Sequence, residues 1–199
     1  MTFDVPGRAD GRMRHAGPFP LVLWAVALAC WAWLWHGARS RTKLLNNLSA
    51  RYGGFVRTAF SWATLVAEAV ELRFVRMCGS QPVRYRLRFE FPLPGMGRPG
   101  TVMEFELPEA VFGDAPGLYL PGDRNAGRGF FLSGVNLTQA YVRFAGELPG
   151  VARPRIGWRG ATVWLFLPGL LGASEEIWVN RCFEFLEELA SRTCPPPRP

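Results

Sequence analysis

The sequence predicts an α+β protein in which one N-terminal transmembrane helix precedes a soluble domain of antiparallel β-hairpins, or a meander, with packing helices. Three observations lead to this fold class: an uncharged apolar run near the N-terminus, alternation of apolar and charged residues in mid-chain, and apolar residues at helical spacing near the C-terminus. A period of two is typical of half-buried strands, and a period of 3.6 is typical of amphipathic helices. The 199 residues suffice for one domain and an appendage.

The apolar run Pro20–Trp35 (PLVLWAVALACWAWLW) contains no charged side chain. Extended to residue 38 it reaches about 20 residues, or roughly 30 Å of helix, which matches the hydrocarbon core of a bilayer. Indole rings and basic side chains favour the headgroup region. We therefore predict a spanning helix over 19–38, a lipid bilayer as partner, and membrane-interface residues Trp31, Trp33, Trp35, Arg39, Arg41 and Lys43.

Other interpretations of the apolar run stay open at this point. A buried core helix and a cleaved signal peptide share its composition. Ala27-Leu28-Ala29-Cys30 resembles a bacterial lipobox, in which Cys30 would carry the lipid. The lipobox prefers a small or β-branched residue where Leu28 stands, and a polar tether where WAWLW follows, so the spanning helix is the favoured interpretation.

The net charge of +7 is concentrated around the apolar run. Residues 1–43 hold six basic and two acidic side chains, whereas residues 44–199 hold 17 and 14. Basic residues that flank a span are attracted to anionic headgroups, so the sequence predicts no specific nucleic-acid partner. Only one of the 23 basic residues is lysine, which indicates a GC-rich, bacterial genome and thus an inner or plasma membrane.

The two flanks of the run give opposite indications of orientation. Cytoplasmic flanks carry the excess of Lys and Arg, and the C-terminal flank has slightly more of them, which favours a cytoplasmic domain. The basic N-terminal region taken alone indicates the opposite orientation. The residues counted are Arg8, Arg12 and Arg14 before the run and Arg39, Arg41, Lys43 and Arg51 after it.

The strongest strand pattern is Val83–Phe91, where odd positions are apolar and even positions are charged. Thr101–Leu107 alternates in the same way. Antiparallel pairing in which partner numbers sum to 192 sets Arg88 opposite Glu104 and Arg86 opposite Glu106, and both faces are then satisfied. We interpret the arginines of the first strand as an exposed face partly neutralised by glutamates, because no aromatic residues are interleaved there to stack bases.

The remaining pattern divides the chain into a basic tail (1–18), the span (19–38), a soluble domain (39–192) and a disordered Pro-rich tail (193–199).

A leucine stripe predicts a helix that ends at Tyr52-Gly53-Gly54. Residues 59–68 suit either a helix or a strand. Val70, Leu72 and Phe74 predict the core face of a strand, and 156–167 reads as a hairpin whose second strand is covered on both faces. Ser174 is the expected cap of a last helix, whose core stripe includes Ile177, Trp178, Cys182, Phe185, Leu186 and Leu189.

The domain after the span contains no histidine, because the only two are His15 and His36. This excludes a Ser/His/Asp or Cys/His nucleophilic site and a histidine-ligated zinc there. No cofactor, metal or catalytic residues are predicted. The polar loop Asp123, Arg124 and Asn125 is a candidate site in which Asp123 would bind a metal or act as a base, although such residues ordinarily form turns. The thiols Cys78, Cys182 and Cys194 have no paired spacing, which favours free thiols or at most one disulfide.

Three functions remain as hypotheses. The first is a noncatalytic interaction or scaffold domain that binds a protein or lipid partner at the membrane. The second is a membrane-anchored enzyme that uses Asp114 or Asp123 with arginines. The third is a lipid-handling module with a cavity lined by Trp158, Trp164 and Phe166, whose alternative role is ordinary core packing.

The chain also resembles uncharacterised bacterial membrane-anchored families of unknown function over residues 44–190. The resemblance is carried by the basic-flanked span, the helix that ends in Tyr52-Gly53-Gly54, and the arginine-alternating strand before Pro92-Leu93-Pro94. It continues with Gly122-Asp123 and then Phe130-Phe131-Leu132-Ser133-Gly134. Those families often place a Phe-Asp pair between the last two motifs, where this chain has Ala126-Gly127. The resemblance implies a fold and no mechanism.

Overall fold

In the computed structural model, which describes residues 19–90, 99–107, 117–119, 131–132, 135–136, 138–148 and 154–193, helices cover one face of a seven-stranded antiparallel sheet. The helices are α1 (Phe19–Tyr52), α2 (Thr138–Gly146) and α3 (Glu176–Thr193). The strands are β1 (Phe55–Ser61), β2 (Val66–Cys78), β3 (Gln81–Glu90), β4 (Gly100–Glu106), β5 (Gly117–Tyr119), β6 (Phe131–Leu132), β7 (Val135–Asn136), β8 (Arg155–Arg159) and β9 (Thr162–Pro168). The α+β prediction is confirmed.

The sheet has the order β1-β2-β3-β4-β9-β8-β5, while β6 and β7 form a separate pair. The expected β3–β4 pairing is correct in faces and wrong in register. Partner numbers sum to 190, so Arg86 lies opposite Glu104 and Arg84 opposite Glu106. A slip of two residues keeps every side chain on its face, and the alternation alone therefore does not distinguish the two registers.

A bulge interrupts the predicted alternation in β2. Arg57 pairs with Glu71 and Thr58 with Ala69, so Val70 has no partner in β1. An extra residue of this kind reverses the side-chain parity. Ala69 rather than Val70 therefore joins Leu72 and Phe74 in the core.

The core lies between the sheet and the C-terminal half of α1, together with α3. Leu44, Leu45 and Leu48 are 0% exposed, which confirms the predicted leucine stripe. Gly53 ends α1 with φ of +70°, a left-handed conformation that glycine adopts without strain. Helix α2 packs on α3, where Phe144 stacks on Phe185 with ring centroids 4.2 Å apart.

The last helix differs from the prediction at its start. Ser174 lies within a 3-10 turn (Ala173–Glu175), and the backbone N–H of Gly172 instead donates to the Glu175 carboxylate at 2.7 Å. Ile177 is exposed, whereas the other five residues of the predicted stripe are buried or half-buried. Ile177 belongs to the same regular helix as the stripe but lies five residues before Cys182, a spacing that places its side chain about 140° away from that of Cys182.

Strand β9 is central, as predicted, because β4 and β8 flank it. Its two faces are not equally covered. Val163, Leu165 and Leu167 are 0% exposed, while Trp164 and Phe166 on the opposite face are half-buried. Helices α1 and α3 both pack on the first face, so the expectation of full cover on both faces is wrong for the described residues.

Candidate membrane interface

The N-terminal half of α1 projects away from the domain. Every residue from Pro20 to Leu34 is exposed, and none is charged. The helix is long and apolar enough to cross a membrane. Burial begins at Trp35 and is complete at Ala38, so the described fold does not bury the run as a core helix would.

Two of the predicted interface tryptophans form a ladder with a basic residue on one side of α1. Trp31 and Trp35 stack with ring centroids 6.5 Å apart, and the guanidinium of Arg39 lies 5.1 Å from the Trp35 centroid. The spacing of four residues brings these side chains onto one helix face. Trp33 is exposed on a different side. The ladder sets a cation next to indole rings, the combination favoured at a lipid headgroup layer.

The predicted basic residues do not share one environment. Arg39 and Lys43 are exposed. Arg41, with only 13% of its side chain exposed, lies 3.1 Å from Glu68 of β2 and 5.9 Å from the Phe89 ring centroid. Arg41 thus fastens α1 to the sheet, while Arg39 and Lys43 are the two that face outward.

Further contacts fix α1 to the domain along its C-terminal half. The Thr42 hydroxyl accepts the Ala69 N–H at 3.1 Å, and the Tyr52 hydroxyl donates to the Asn180 side chain at 2.9 Å. The Tyr52 ring stacks on Phe74 with centroids 4.9 Å apart. Burial is the main cause that raises the pKa of the Tyr52 phenol. The N-terminal half of α1 is therefore exposed, while its C-terminal half contributes to the core.

The sequence did not predict a group of exposed apolar residues that lies beside α1. We call Phe60, Trp62, Leu65 and Val66, at the turn between β1 and β2, the hairpin tip; all four are exposed. The turn contains no Gly, Pro, Asn or Asp, so the usual signals of a hairpin were absent. The residues of β1 (FVRTAFS) do not alternate between apolar and polar, so they gave no period-two indication of a strand either.

Glu68 holds the hairpin tip in place. The Thr64 hydroxyl donates to this carboxylate, which also binds Arg41 of α1. Burial alone would raise the pKa of Glu68, but the hydrogen bonds from Thr64, Ser61 and Arg41 outweigh it and hold that pKa below its ordinary value. One ionised carboxylate therefore links the turn to the helix.

The outer face of the sheet, opposite α1 and α3, carries the arginines that might suggest nucleic acid. Glu71, with only 4% of its side chain exposed, lies within 4 Å of Arg57, Arg73 and Arg86. Burial would raise its pKa, yet hydrogen bonds from Arg73 and Arg86 lower it. Glu104 lies 3.1 Å from Arg86. These pairs agree with the interpretation of a charge-balanced strand face.

The aromatic residues proposed to line a lipid cavity are at separate places. Trp164 and Phe166 border an open depression on the outer face, together with Arg88 and Arg155. Their rings lie over glycines, since a Cβ added at Gly157 or Gly100 would overlap the Trp164 or Phe166 ring, respectively. Trp158 is half-buried against the core. The described residues therefore favour packing over a shared cavity.

The remaining candidates give no catalytic arrangement within the described part of the chain. Asp114 and the polar loop Asp123, Arg124 and Asn125 lie outside the described residues. Across 19–90, 99–107 and the later described segments, no three His, Cys, Asp or Glu side chains cluster as metal ligands. Cys30, Cys78 and Cys182 carry free thiols, and burial raises the pKa of the Cys182 thiol. Cys194 is not among the described residues.

Comparison of the whole chain with protein-family models, with curated proteins and with solved structures gives no match. The resemblance to bacterial membrane-anchored families therefore stays a prediction. The fold and the site geometry are the basis for any functional conclusion.

Proposed function

We propose that this chain is a single-pass membrane protein whose residues 39–192 form a noncatalytic interaction or scaffold domain at a bacterial inner membrane. The observation that carries the proposal is the continuity of α1. Its residues 20–34 are all exposed, and the same helix supplies the buried residues Ala38, Leu44, Leu45 and Leu48. A bilayer around the first part would hold the domain directly at the membrane surface.

The orientation in this proposal follows the basic residues. Four of them, Arg39, Arg41, Lys43 and Arg51, follow the span, against three before it, so the domain is assigned to the cytoplasmic side. Reporter fusions at both termini test this assignment. A periplasmic signal from the C-terminal fusion would reverse it.

A protein partner is supported by the sheet edge. β1 occupies one end of the strand order, and no described strand pairs with its outer side. An edge strand offers backbone N–H and C=O groups to an added strand. The domain contains no histidine, and its buried carboxylates Glu68 and Glu71 are engaged by arginines, which supports binding rather than catalysis.

Membrane integration is tested by extraction of the full chain. Wild-type protein is expected to stay with membranes in alkaline carbonate and to dissolve in detergent. Val26→Arg combined with Leu28→Arg places two charges in the span, each costing roughly 2.5–3.5 kcal/mol on insertion scales, and is expected to release the protein. Asn46→Arg adds a charge to an exposed position of the same helix beyond the span and should change nothing. Wild-type protein in the soluble fraction would contradict the proposal.

A further inference from the structure

The hairpin tip is an uncharged, outward-facing apolar group. Trp62 is 83% exposed and Leu65 is 62% exposed, and Phe60 packs edge-to-face on Trp62 with centroids 5.1 Å apart. Residues 60–66 (FSWATLV) contain no charged side chain. The turn itself is ordered by the Leu65 N–H, which donates to the Ser61 carbonyl at 2.8 Å. The fold thus presents these side chains to their surroundings in a defined conformation.

The hairpin tip lies where α1 leaves the domain. Val66 lines a small depression with Trp35, Ala38 and Arg39 of α1. β2 and α1 run in the same direction, because Arg41 meets Glu68 while Tyr52 meets Phe74. From Glu68 back to Val66 the strand covers about 7 Å, and from Arg41 back to Trp35 the helix covers about 9 Å. The turn before Val66 is therefore level with the tryptophans of α1.

The backbone at Leu65 gives an independent indication. Its φ of 58° makes it the sole non-glycine residue with positive φ in the described part of the chain. A left-handed conformation costs a branched-chain residue about 1–2 kcal/mol, which Gly avoids and Asn reduces. Leu65 recovers little of this cost inside the fold, because most of its side chain is exposed. The packing of the domain therefore gives no reason for an apolar side chain at this position.

We propose that the hairpin tip inserts into the headgroup–acyl boundary of the same bilayer leaflet from which α1 emerges. This inference rests on the proposed function, and it adds a second attachment that fixes the rotation of the domain about α1. Lipid is the occupant because the tip is uncharged and because Val66 borders Trp35, on which the exposed Trp31 stacks. Tryptophan and leucine side chains of amphipathic elements bury about 5–10 Å deep in that boundary. The exposed Arg39, which lines the depression together with Val66, meets anionic headgroups in this arrangement.

The test uses the full chain in vesicles of phosphatidylcholine and phosphatidylglycerol at about 3:1, a composition chosen to supply anionic headgroups. Cys30, Cys78 and Cys194 are changed to Ser, while Cys182 is kept because it is buried. Single cysteines then replace Trp62, Leu65, Val26 or Ser80, and each carries a nitroxide label. Ser80 is exposed in the β2–β3 turn, at the opposite end of β2, and is the matched aqueous control. A sample without an added cysteine should take up no label.

The readout is collision of the nitroxide with oxygen and with a water-soluble nickel chelate. We expect labels at 62, 65 and 26 to collide with nickel at least about fivefold less often than the label at 80, because acyl chains exclude the polar reagent. Labels at 62 and 65 with the aqueous profile of 80, beside a lipid profile at 26, would overturn this inference and leave the anchor intact. An aqueous profile at 26 would overturn the proposed function. Shielding at 62 that disappears as the lipid-to-protein ratio rises would identify a second copy as the occupant and overturn the lipid assignment.

Discussion

The guanidinium of Arg41 lies 3.1 Å from the carboxylate of Glu68, and this ion pair joins α1 to β2 where the helix leaves the domain. The same carboxylate accepts a hydrogen bond from Thr64 in the β1–β2 turn. Glu68 is therefore the common partner of α1 and of the turn that carries the hairpin tip. Its protonation state affects both.

Glu68→Gln is expected to lower the free energy of unfolding by about 1.5–3 kcal/mol at pH 7, the range for a hydrogen bond to a charged group. Chemical unfolding of the full chain in detergent, followed by tryptophan fluorescence, measures the change. Glu188→Gln is the matched control. It removes an exposed ion pair with Arg192 and should change stability by less than about 0.5 kcal/mol.

The effect of Glu68→Gln should also depend on pH. The folded-state pKa of Glu68 lies below its unfolded value of about 4.3, so its stabilisation is complete above the unfolded pKa and is lost as pH falls through the folded pKa. The difference between wild type and Glu68→Gln should therefore shrink below about pH 4. A difference that stays constant from pH 7 to pH 3 would show that the carboxylate charge is not the cause.

Tyr52→Phe tests the link between α1 and α3. The change removes the hydroxyl that donates to Asn180 while the ring keeps its stacking on Phe74, so a loss of about 0.5–1.5 kcal/mol is expected. Asn180→Ala and the double variant complete a double-mutant cycle in the same unfolding assay. Additive losses would mean that the two side chains do not interact.

The sequence pattern predicted which face of β3 and β4 is buried, because the period of two depends only on local residues. Val83, Tyr85, Leu87 and Phe89 are all buried as expected. The register decides which arginine lies opposite which glutamate. The observed register differs from the expected one by two residues, and every side chain stays on the same face of the sheet in both. That choice depends on neighbouring strands, so the local pattern does not contain it.

Only the α1 part of the candidate interface could be predicted from the sequence, because the hairpin tip depends on tertiary packing. Trp31, Trp33 and Trp35 stand out in the sequence because they lie in one apolar run. Trp62 lies 27 residues after Trp35 and belongs to a turn without turn-forming residues. Only the packing of β2 along α1 brings the hairpin tip level with the span, and such a tertiary arrangement leaves no periodic signal.

Gly157→Ala tests the packing of Trp164 on the outer face. The added methyl group would overlap the indole ring across the β8–β9 pair, and overpacking of this kind costs about 1–3 kcal/mol. The matched control is Gly146→Ala at the end of α2, where nothing lies within 4 Å of the added carbon. Equal stability of Gly157→Ala and wild type in detergent would mean that the ring lies elsewhere.

Leu65→Asn separates the two demands on the hairpin tip, because asparagine tolerates left-handed backbone and is polar. The segment Ala38–Pro199 retains every buried residue of the described core, so it reports on the fold without the span. In that segment we expect Leu65→Asn to raise the free energy of unfolding by about 1 kcal/mol. Leu65→Ala keeps the left-handed strain, and the Leu65 side chain is largely exposed, so this variant should give no such gain. In vesicles, the full-length Leu65→Asn chain should instead show increased nickel access at a nitroxide on residue 62. A free energy of unfolding of Leu65→Asn in the segment that is no higher than that of Leu65→Ala would contradict the left-handed assignment, and unchanged nickel access would show that Leu65 does not hold the tip in lipid.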